Sequence, residues 1–157
     1  MYPLQTPDDN SYVFDTDLGY LNLVGFSKAN FRYDDTCLLR DRVEEVLFEP
    51  FNIGSRGYDK KVSTTIIEII RQRCRENAGA VLFICSSEDK RHFGRSKLFA
   101  RWNAEFNIGE FYYESVTLTY SDSSIYAGII IELSNINLDK FVSEFKYTYT
   151  QIEGKQY

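Results

Sequence analysis

Residues 79–85, Gly-Ala-Val-Leu-Phe-Ile-Cys, form an unbroken apolar run that begins at a glycine, and Ser86-Ser-Glu-Asp89 follows it. A short run that is apolar at every position predicts a strand buried on both faces, in the middle of a sheet. The polar turn then leads into a basic, aromatic segment, Lys90 to Phe106, which we interpret as an amphipathic helix. The rest of the chain is organised around this strand, turn and helix.

Upstream of the central run, the pattern predicts a hairpin, a strand and a helix. Apolar residues alternate through Tyr12 to Phe26 on both sides of Asp17-Leu-Gly19, which is typical of a β-hairpin. Val43 to Phe48 is a further predicted strand. Apolar residues at helical spacing predict a helix from Val62 to Asn77, and Asn77-Ala-Gly79 would cap its C-terminus in the left-handed conformation.

Downstream, Glu110 to Tyr120 and Ile125 to Leu133 alternate around a Ser-Asp-Ser-Ser turn and predict a second, long hairpin. Asn137 would cap a short last helix. These elements predict an α+β fold with a mostly antiparallel sheet of about five or six strands, namely two hairpins plus the central apolar strand. Two amphipathic helices and a short C-terminal helix would pack on the sheet. We expect one domain over residues 1–157, with loose termini at 1–10 and 148–157.

The composition excludes several classes of function. The net charge is −5 and the pI about 5.0, which argues against a general nucleic-acid binder. We expect neither a membrane span nor a secretory signal, because the chain lacks an apolar run of about 18 residues and a basic, apolar N-terminus. The three cysteines have no metal spacing, so we expect reduced thiols, no metal site and a cytoplasmic protein. No cofactor motif is present.

The central turn contains the candidate site. On a helical wheel, Arg91 and Arg95 lie on the same stripe as the apolar residues of the predicted helix. Buried guanidinium groups need partners, so these arginines either pair with carboxylates of the chain or hold a ligand. In the second case Ser86, Ser87, Arg91, His92 and Arg95 would bind a phosphate or carboxylate at a helix start.

Cys85 to Arg91 also matches C-x5-R, which resembles the phosphate-binding loop of cysteine-dependent phosphatases. In those enzymes the cysteine is the nucleophile, so Cys85 is a possible nucleophile. Two departures weaken this interpretation. The loop has no glycine, and Glu88 and Asp89 would repel a phosphate dianion and raise the pKa of the thiol.

A longer set of residues resembles a known family. The set is Tyr12-x-Phe14-x-Thr16-x-x-Gly19, Phe48-Glu-Pro50, Thr65-Ile-x-x-Ile-Ile70 and Leu82-Phe-Ile-Cys-Ser-Ser-x-Asp89 followed by Arg95-x-x-x-Phe99-x-x-Trp102. It is similar to an uncharacterised bacterial family of small single-domain proteins, found mainly in Bacteroidetes and classed as a domain of unknown function. Its members often have Asp at the position of Ser86 and Gly at that of Lys90. The resemblance implies a fold and a bacterial host but no reaction.

The sequence favours a non-enzymatic cytosolic protein that binds a macromolecular partner, of antitoxin, immunity or regulatory type. The grounds are the missing catalytic motifs, the acidity, the small size and tyrosines such as Tyr112 and Tyr113 that would suit a protein interface. The alternative is a small-molecule site at residues 85–95. That site would belong to a phosphate- or carboxylate-binding protein or to a weak C-x5-R phosphatase-like enzyme.

Overall fold

The computed structural model of the chain describes residues 1–17, 21–49, 60–86, 100–101, 104, 109–119 and 123–154. The strands in this part are β1 (Gln5–Asp8), β2 (Ser11–Asp15), β3 (Leu21–Lys28), β4 (Val43–Glu49), β5 (Ala80–Ser86), β6 (Phe111–Thr119) and β7 (Ser124–Glu132). The α-helices described are α1 (Lys60–Asn77) and α2 (Leu138–Gly154). The helix predicted from Lys90 to Phe106 lies outside the described residues, apart from Ala100, Arg101 and Ala104, which are helical.

The strands form one seven-stranded sheet in the order β1-β2-β3-β4-β5-β7-β6. Neighbouring strands are antiparallel except β4 and β5, which run parallel and are joined through α1. The prediction of a mostly antiparallel sheet of five or six strands with three helices is therefore wrong. The sheet is mixed because the connection from β4 through a helix to β5 returns the chain to the same end of the sheet. The strand that the sequence did not predict is β1.

Each face of the sheet carries a helix and its own core. The face under α1, which we call the α1 face, buries Val62, Ile66, Ile69, Ile70 and Cys74 of the helix against strand residues such as Val81 and Phe83. The opposite face, the α2 face, buries Phe141, Phe145 and Tyr149 of α2 against Ala80, Leu82, Ile129 and Ile131. Successive residues of β5 thus alternate between the two cores, which explains why its sequence is apolar from Ala80 to Cys85.

The junction between α1 and β5 is tight. Ala78 has a left-handed φ of 48° and ends the helix, so the left-handed residue is the alanine rather than the adjacent glycine. Gly79 is required by close approach, because a Cβ at this position would lie 2.2 Å from the carbonyl oxygen of Arg42. The chain can therefore pass close to Arg42 only because residue 79 has no side chain, and the left-handed conformation of Ala78 turns the chain out of the helix.

The chain ends are partly ordered into these elements. The first ten residues, predicted as a loose lead-in, contain β1, which pairs with β2. Helix α2 continues through Gly154, past the point where the sequence predicted a loose tail. No helix within the described ranges is both long enough and apolar enough to span a membrane.

Candidate functional site

The sequence-predicted site residues are only partly within the described chain. Ser87, Arg91, His92 and Arg95 lie outside it, so their roles stay predictions. Ser86 is the last residue of β5. Cys85 precedes it and is buried. Groups of His, Cys, Asp or Glu that could hold a metal ion do not occur among the residues that the structure describes.

The central feature of the sheet is the parallel pair β4–β5, because its ladder stops early. It contains only Val43↔Ala80, Glu44↔Val81 and Glu45↔Leu82. Both strands continue beyond this point. On its other side β4 pairs with β3 as far as Glu49, and β5 pairs with β7 as far as Ser86. The two strands therefore part at their carboxyl ends, and we call the space between residues 46–49 and 83–86 the wedge.

Backbone hydrogen bonds identify the groups that face the wedge. The amide of Ala29 donates to the carbonyl oxygen of Val43 at 3.0 Å, so Val43 faces β3 and Val46 faces β5. This follows because successive residues of a strand direct their backbone groups to opposite sides. The next bond of the parallel ladder would join the carbonyl of Val46 to the amide of Ile84. Since the ladder ends one residue earlier, these two groups do not pair with each other.

The side chains that border the wedge are buried on one face of the sheet and partly exposed on the other. On the α1 face it is bordered by buried side chains, those of Val46, Phe83 and Cys85. On the α2 face Leu47 and Ile84 would stand level with each other, and Leu47 is 51% exposed. In open sheets with parallel strands, ligands bind beyond the carboxyl ends of the strands at the point where neighbouring connections diverge. The wedge has this location, with apolar walls and backbone polar groups between them.

Beside the wedge, on the α1 face, two tyrosine hydroxyls meet. Those of Tyr113 on β6 and Tyr126 on β7 form a short hydrogen bond, and both rings stack on Phe83, at 5.8 and 5.9 Å between centroids. Gly128 allows this arrangement, because a Cβ there would lie 2.1 Å from the Phe83 ring. Tyr126 pairs with Cys85 across β7 and β5. The cluster therefore lies one strand away from the wedge.

The surroundings of Tyr113 favour its protonated form. Burial, together with the hydrogen bond to Tyr126, raises the pKa of Tyr113 above its ordinary value of 10.0. Tyr113 therefore keeps its proton at neutral pH, and its hydroxyl serves in hydrogen bonding rather than as a base. Sequence reasoning had assigned Tyr113 to an exposed interface. Its half-buried position could have been inferred from Gly128, whose missing side chain interrupts the apolar alternation of β7.

Near the paired part of β4, a buried ion pair ties α1 to β4 and to the turn between β1 and β2. Arg73 of α1 donates to both carboxylate oxygens of Glu44, at 2.7 and 2.6 Å. It also donates to the carbonyl oxygen of Asp9 and to the side chain of Asn10. The hydrogen bonds to Glu44 raise the pKa of Arg73, so the guanidinium stays charged. All of these hydrogen-bonding groups are provided by the protein itself, which makes the pair structural.

A second concavity lies at the opposite end of the sheet. Its volume is about 280 Å³. The residues that line it are Arg42, Arg75, Ala78, Glu132, Ser134, Asn135, Ile136 and Asn137. It adjoins the amino end of β5, and the guanidinium of Arg75 is paired with Glu110 and Glu132. Its location at the amino end makes it a weaker candidate than the wedge.

The sequence from residue 58 to residue 147 matches a family of unknown function, DUF6169. This range spans more than half of the chain. The chain belongs to this family. The expected membership of an uncharacterised family is therefore confirmed. The DUF6169 match includes α1, β5 and the β6–β7 hairpin, so it contains the β5 side of the wedge and the tyrosine cluster. Among curated proteins, none matches this DUF6169 chain.

Two solved structures are similar to the DUF6169 chain. One is a proposed phosphinothricin N-acetyltransferase, with a TM-score of 0.45 and 17% sequence identity, covering 79% of this chain and 71% of that chain. The other is MesI, a CoA-dependent acyl-homoserine lactone synthase, with a TM-score of 0.44 and 8% identity, covering 88% of this chain and 71% of that chain. Scores this low identify neither a reaction nor a site in the DUF6169 chain.

The functional prediction is corrected by what was found, namely similarity to structures described as a proposed N-acetyltransferase and an acyl-homoserine lactone synthase. The prediction of a non-enzymatic binding protein of antitoxin, immunity or regulatory type is wrong. Its alternative, a phosphate- or carboxylate-binding protein or a C-x5-R phosphatase-like enzyme, is withdrawn with it. The first was inferred from missing catalytic motifs, acidity and small size and the second from a side-chain motif, whereas the wedge arises from strand order and backbone pairing.

Proposed function

We propose that the protein is an acyltransferase that binds an acyl thioester in the wedge and transfers its acyl group to a second substrate. The observation that carries the proposal is the early end of the β4–β5 ladder. It leaves the carbonyl of Val46 and the amide of Ile84 facing each other across a gap without a mutual hydrogen bond. Backbone groups that have lost a ladder partner favour a ligand that restores one.

The shape and chemistry of the wedge support an extended, amide-bearing arm. The wedge is bounded by two strands, so a ligand inside it must be narrow. Its backbone groups require hydrogen-bond donors and acceptors, and its walls, Val46, Leu47, Phe83 and Ile84, are apolar. An arm of amides separated by methylene groups, as in the pantetheine part of coenzyme A, satisfies all three requirements. The thioester at the end of that arm is a ready acyl donor.

The tyrosine cluster supplies a proton where transfer needs one. An amine or hydroxyl of the acceptor attacks the thioester carbonyl, the carbon–sulfur bond breaks, and the sulfur leaves as a thiolate. Tyr126, next to Cys85 on the neighbouring strand, donates a proton to that thiolate, directly or through one water molecule. Solvent then reprotonates Tyr126, whose hydroxyl keeps its hydrogen bond to the hydroxyl of Tyr113. The proton of the attacking group leaves to solvent.

The proposal is tested by calorimetric titration of the purified protein with acetyl-CoA, followed by thiol release in the presence of amine acceptors. We expect binding within the range typical of enzyme substrates, about 1 μM to 1 mM. The discriminating variant is Leu47→Glu, which places a charge on the open face of the wedge. Its matched control is Leu21→Glu, since Leu21 is similarly exposed, at 52%, and on the same face, but lies on β3, which does not border the wedge.

We expect Leu47→Glu to weaken binding by at least about tenfold, a loss of about 1.4 kcal/mol, and Leu21→Glu to leave binding unchanged. Replacement of Tyr126 by Phe should lower the rate of thiol release while leaving the affinity near that of the wild type. Absence of acetyl-CoA binding at millimolar concentration, or an equal loss in both leucine variants, would refute the proposal.

A further inference from the structure

The two edges of the sheet are protected very differently. The β1 edge is only four residues long, contains Pro7, and its register with β2 shifts between Gln5 and Asp8. Short length, proline and an irregular register are the devices by which proteins block pairing at a sheet edge. The β1 edge is therefore closed to further strands.

The β6 edge has none of these devices. Strand β6 is nine residues long, Phe111–Thr119, and its register with β7 runs without interruption from Phe111↔Glu132 to Thr119↔Ser124. The strand contains no Pro, Gly, Lys or Arg. Its single charged residue is Glu114, whose carboxylate accepts a hydrogen bond from the Tyr112 hydroxyl and pairs with Lys146 at 3.7 Å. A long, regular edge of this kind is a template for another strand.

The backbone pattern shows which residues the edge presents. The amide of Leu133 donates to the carbonyl oxygen of Glu110 at 2.9 Å, so even-numbered residues of β6 face β7. The odd-numbered residues Tyr113, Ser115, Thr117 and Thr119 therefore direct their N–H and C=O groups outward. Within the described residues no strand lies on this side of β6.

We propose that the β6 edge pairs with the β6 edge of a second copy of this chain, antiparallel and centred on Ser115. In this register Ser115 lies opposite Ser115 of the second copy, and Tyr113 lies opposite Thr117. All nine residues of the strand are then paired, and Glu114 lies opposite an uncharged residue, Val116. The neighbouring register, centred on Glu114, would oppose two carboxylates directly, which is unfavourable.

This pairing produces a closed, two-fold symmetric dimer. A two-fold axis through Ser115 uses the same surface on both copies, and β1, the other edge of the sheet formed by the described strands, is blocked. The product is a dimer with one continuous sheet rather than a fibre. The second copy also completes the wall of the tyrosine cluster, because its Thr117 lies beside Tyr113 on the α1 face, within about 5.5 Å between Cβ atoms. The inference does not depend on the proposed acyl transfer.

Light scattering after size-exclusion chromatography tests the dimer. We expect twice the 18.3 kDa mass of the chain for the wild type. Ser115→Pro should give a monomer with an unchanged far-ultraviolet circular dichroism spectrum, since the lost N–H faces outward and proline is tolerated at an edge. A wild-type monomer at high concentration, an open-ended polymer, or a dimer that survives Ser115→Pro would overturn the proposal.

Oxidative cross-linking tests the register. In antiparallel pairs that exchange hydrogen bonds the Cα atoms are about 5.5 Å apart, within the range that a disulfide can bridge. Ser115→Cys should therefore form a cross-linked dimer under mild oxidation. Thr119→Cys should not, because the two copies of residue 119 lie eight residues apart along the strands, about 27 Å. The three native cysteines are buried and contribute little background. Cross-linking through residue 119 and not 115 would contradict the register.

Discussion

The buried pair of Arg73 and Glu44 gives a sharp stability prediction through Glu44→Gln. The substitution keeps the shape of the side chain at position 44 and removes its negative charge. The Arg73 side chain is 8% exposed and that of Glu44 is 17% exposed, so solvent cannot replace the lost carboxylate. Breaking a buried pair in this way costs about 3–5 kcal/mol. We expect the lower end, about 3 kcal/mol, because Arg73 keeps its hydrogen bonds to the Asp9 carbonyl and to Asn10.

The neighbouring residue provides the matched control. Glu45 points to the opposite face, is itself 13% exposed, and pairs with Arg32, whose side chain is 32% exposed, so solvent can still reach the guanidinium after the carboxylate is lost. Glu45→Gln should therefore cost no more than about 1 kcal/mol, the upper range for a pair in contact with solvent. A domain of this size loses about 2–4 °C in Tm for each kcal/mol. Glu44→Gln should then lower the Tm by about 6–12 °C and Glu45→Gln by less than about 4 °C, measured by calorimetry.

Equal losses in the two variants would refute the reasoning, because they would show that burial of the unpaired arginine does not set the cost. A double variant, Glu44→Gln with Arg73→Met, adds an independent check. Removing the second charge should restore part of the lost stability, since the cost arises from the unpaired guanidinium rather than from the missing attraction. If the double variant is less stable than Glu44→Gln by the full loss of stability that Arg73→Met causes alone, the two residues act independently.

Three further substitutions test local features of the structure by thermal or denaturant unfolding. Ala78→Gly should stabilise the protein by about 1 kcal/mol, because the left-handed φ of 48° is unfavourable for alanine. If Ala78→Gly gives no gain in stability, that result contradicts the left-handed conformation of residue 78. Gly128→Ala should destabilise the protein by about 2–3 kcal/mol, because the new Cβ would clash with the Phe83 ring. Gly25→Ala should cost less stability, because its Cβ would meet nothing closer than 4.0 Å. Equal losses of stability in the two variants would contradict the packing of Phe83 on Gly128. Burial raises the pKa of Cys74 from 9.0 to about 12, so its contribution to stability is full below pH 9 and is lost as the pH rises from 9 towards 12. Cys74→Ala should therefore flatten the alkaline decline by up to about 1.4 kcal/mol per pH unit, and an unchanged slope would contradict this assignment.

Sequence patterns predicted the elements of the described chain better than their arrangement. The apolar run at 80–85 does form a central strand, and the helix predicted from Val62 to Asn77 is α1. The strand–helix–strand order around α1 was visible in the sequence and is itself a signal for parallel neighbours. Strand β1 could not be predicted, because four exposed residues that include Pro7 have neither alternation nor strand propensity.

The candidate site was harder to predict because it depends on the backbone. The wedge exists where the ladder beyond Glu45↔Leu82 fails to form, and no side-chain pattern encodes the end of a ladder between two strands that both continue. The hairpin of β6 and β7 was predicted, but the stacking of Tyr113 and Tyr126 on Phe83 also requires β7 to lie next to β5, which only the folded chain shows. The motif residues from Ser87 to Arg95 lie outside the described part and stay predictions.

The central claim is that the wedge binds an acyl thioester, and the most direct measurement follows backbone amides in a nitrogen-15 NMR titration with coenzyme A. The account predicts that the largest chemical-shift changes occur at residues 47–48 on β4 and 84–86 on β5. The amide of Ile84 should be among the most affected, since it faces the wedge. Changes confined to the concavity near Arg42, or none at millimolar coenzyme A, would contradict the claim.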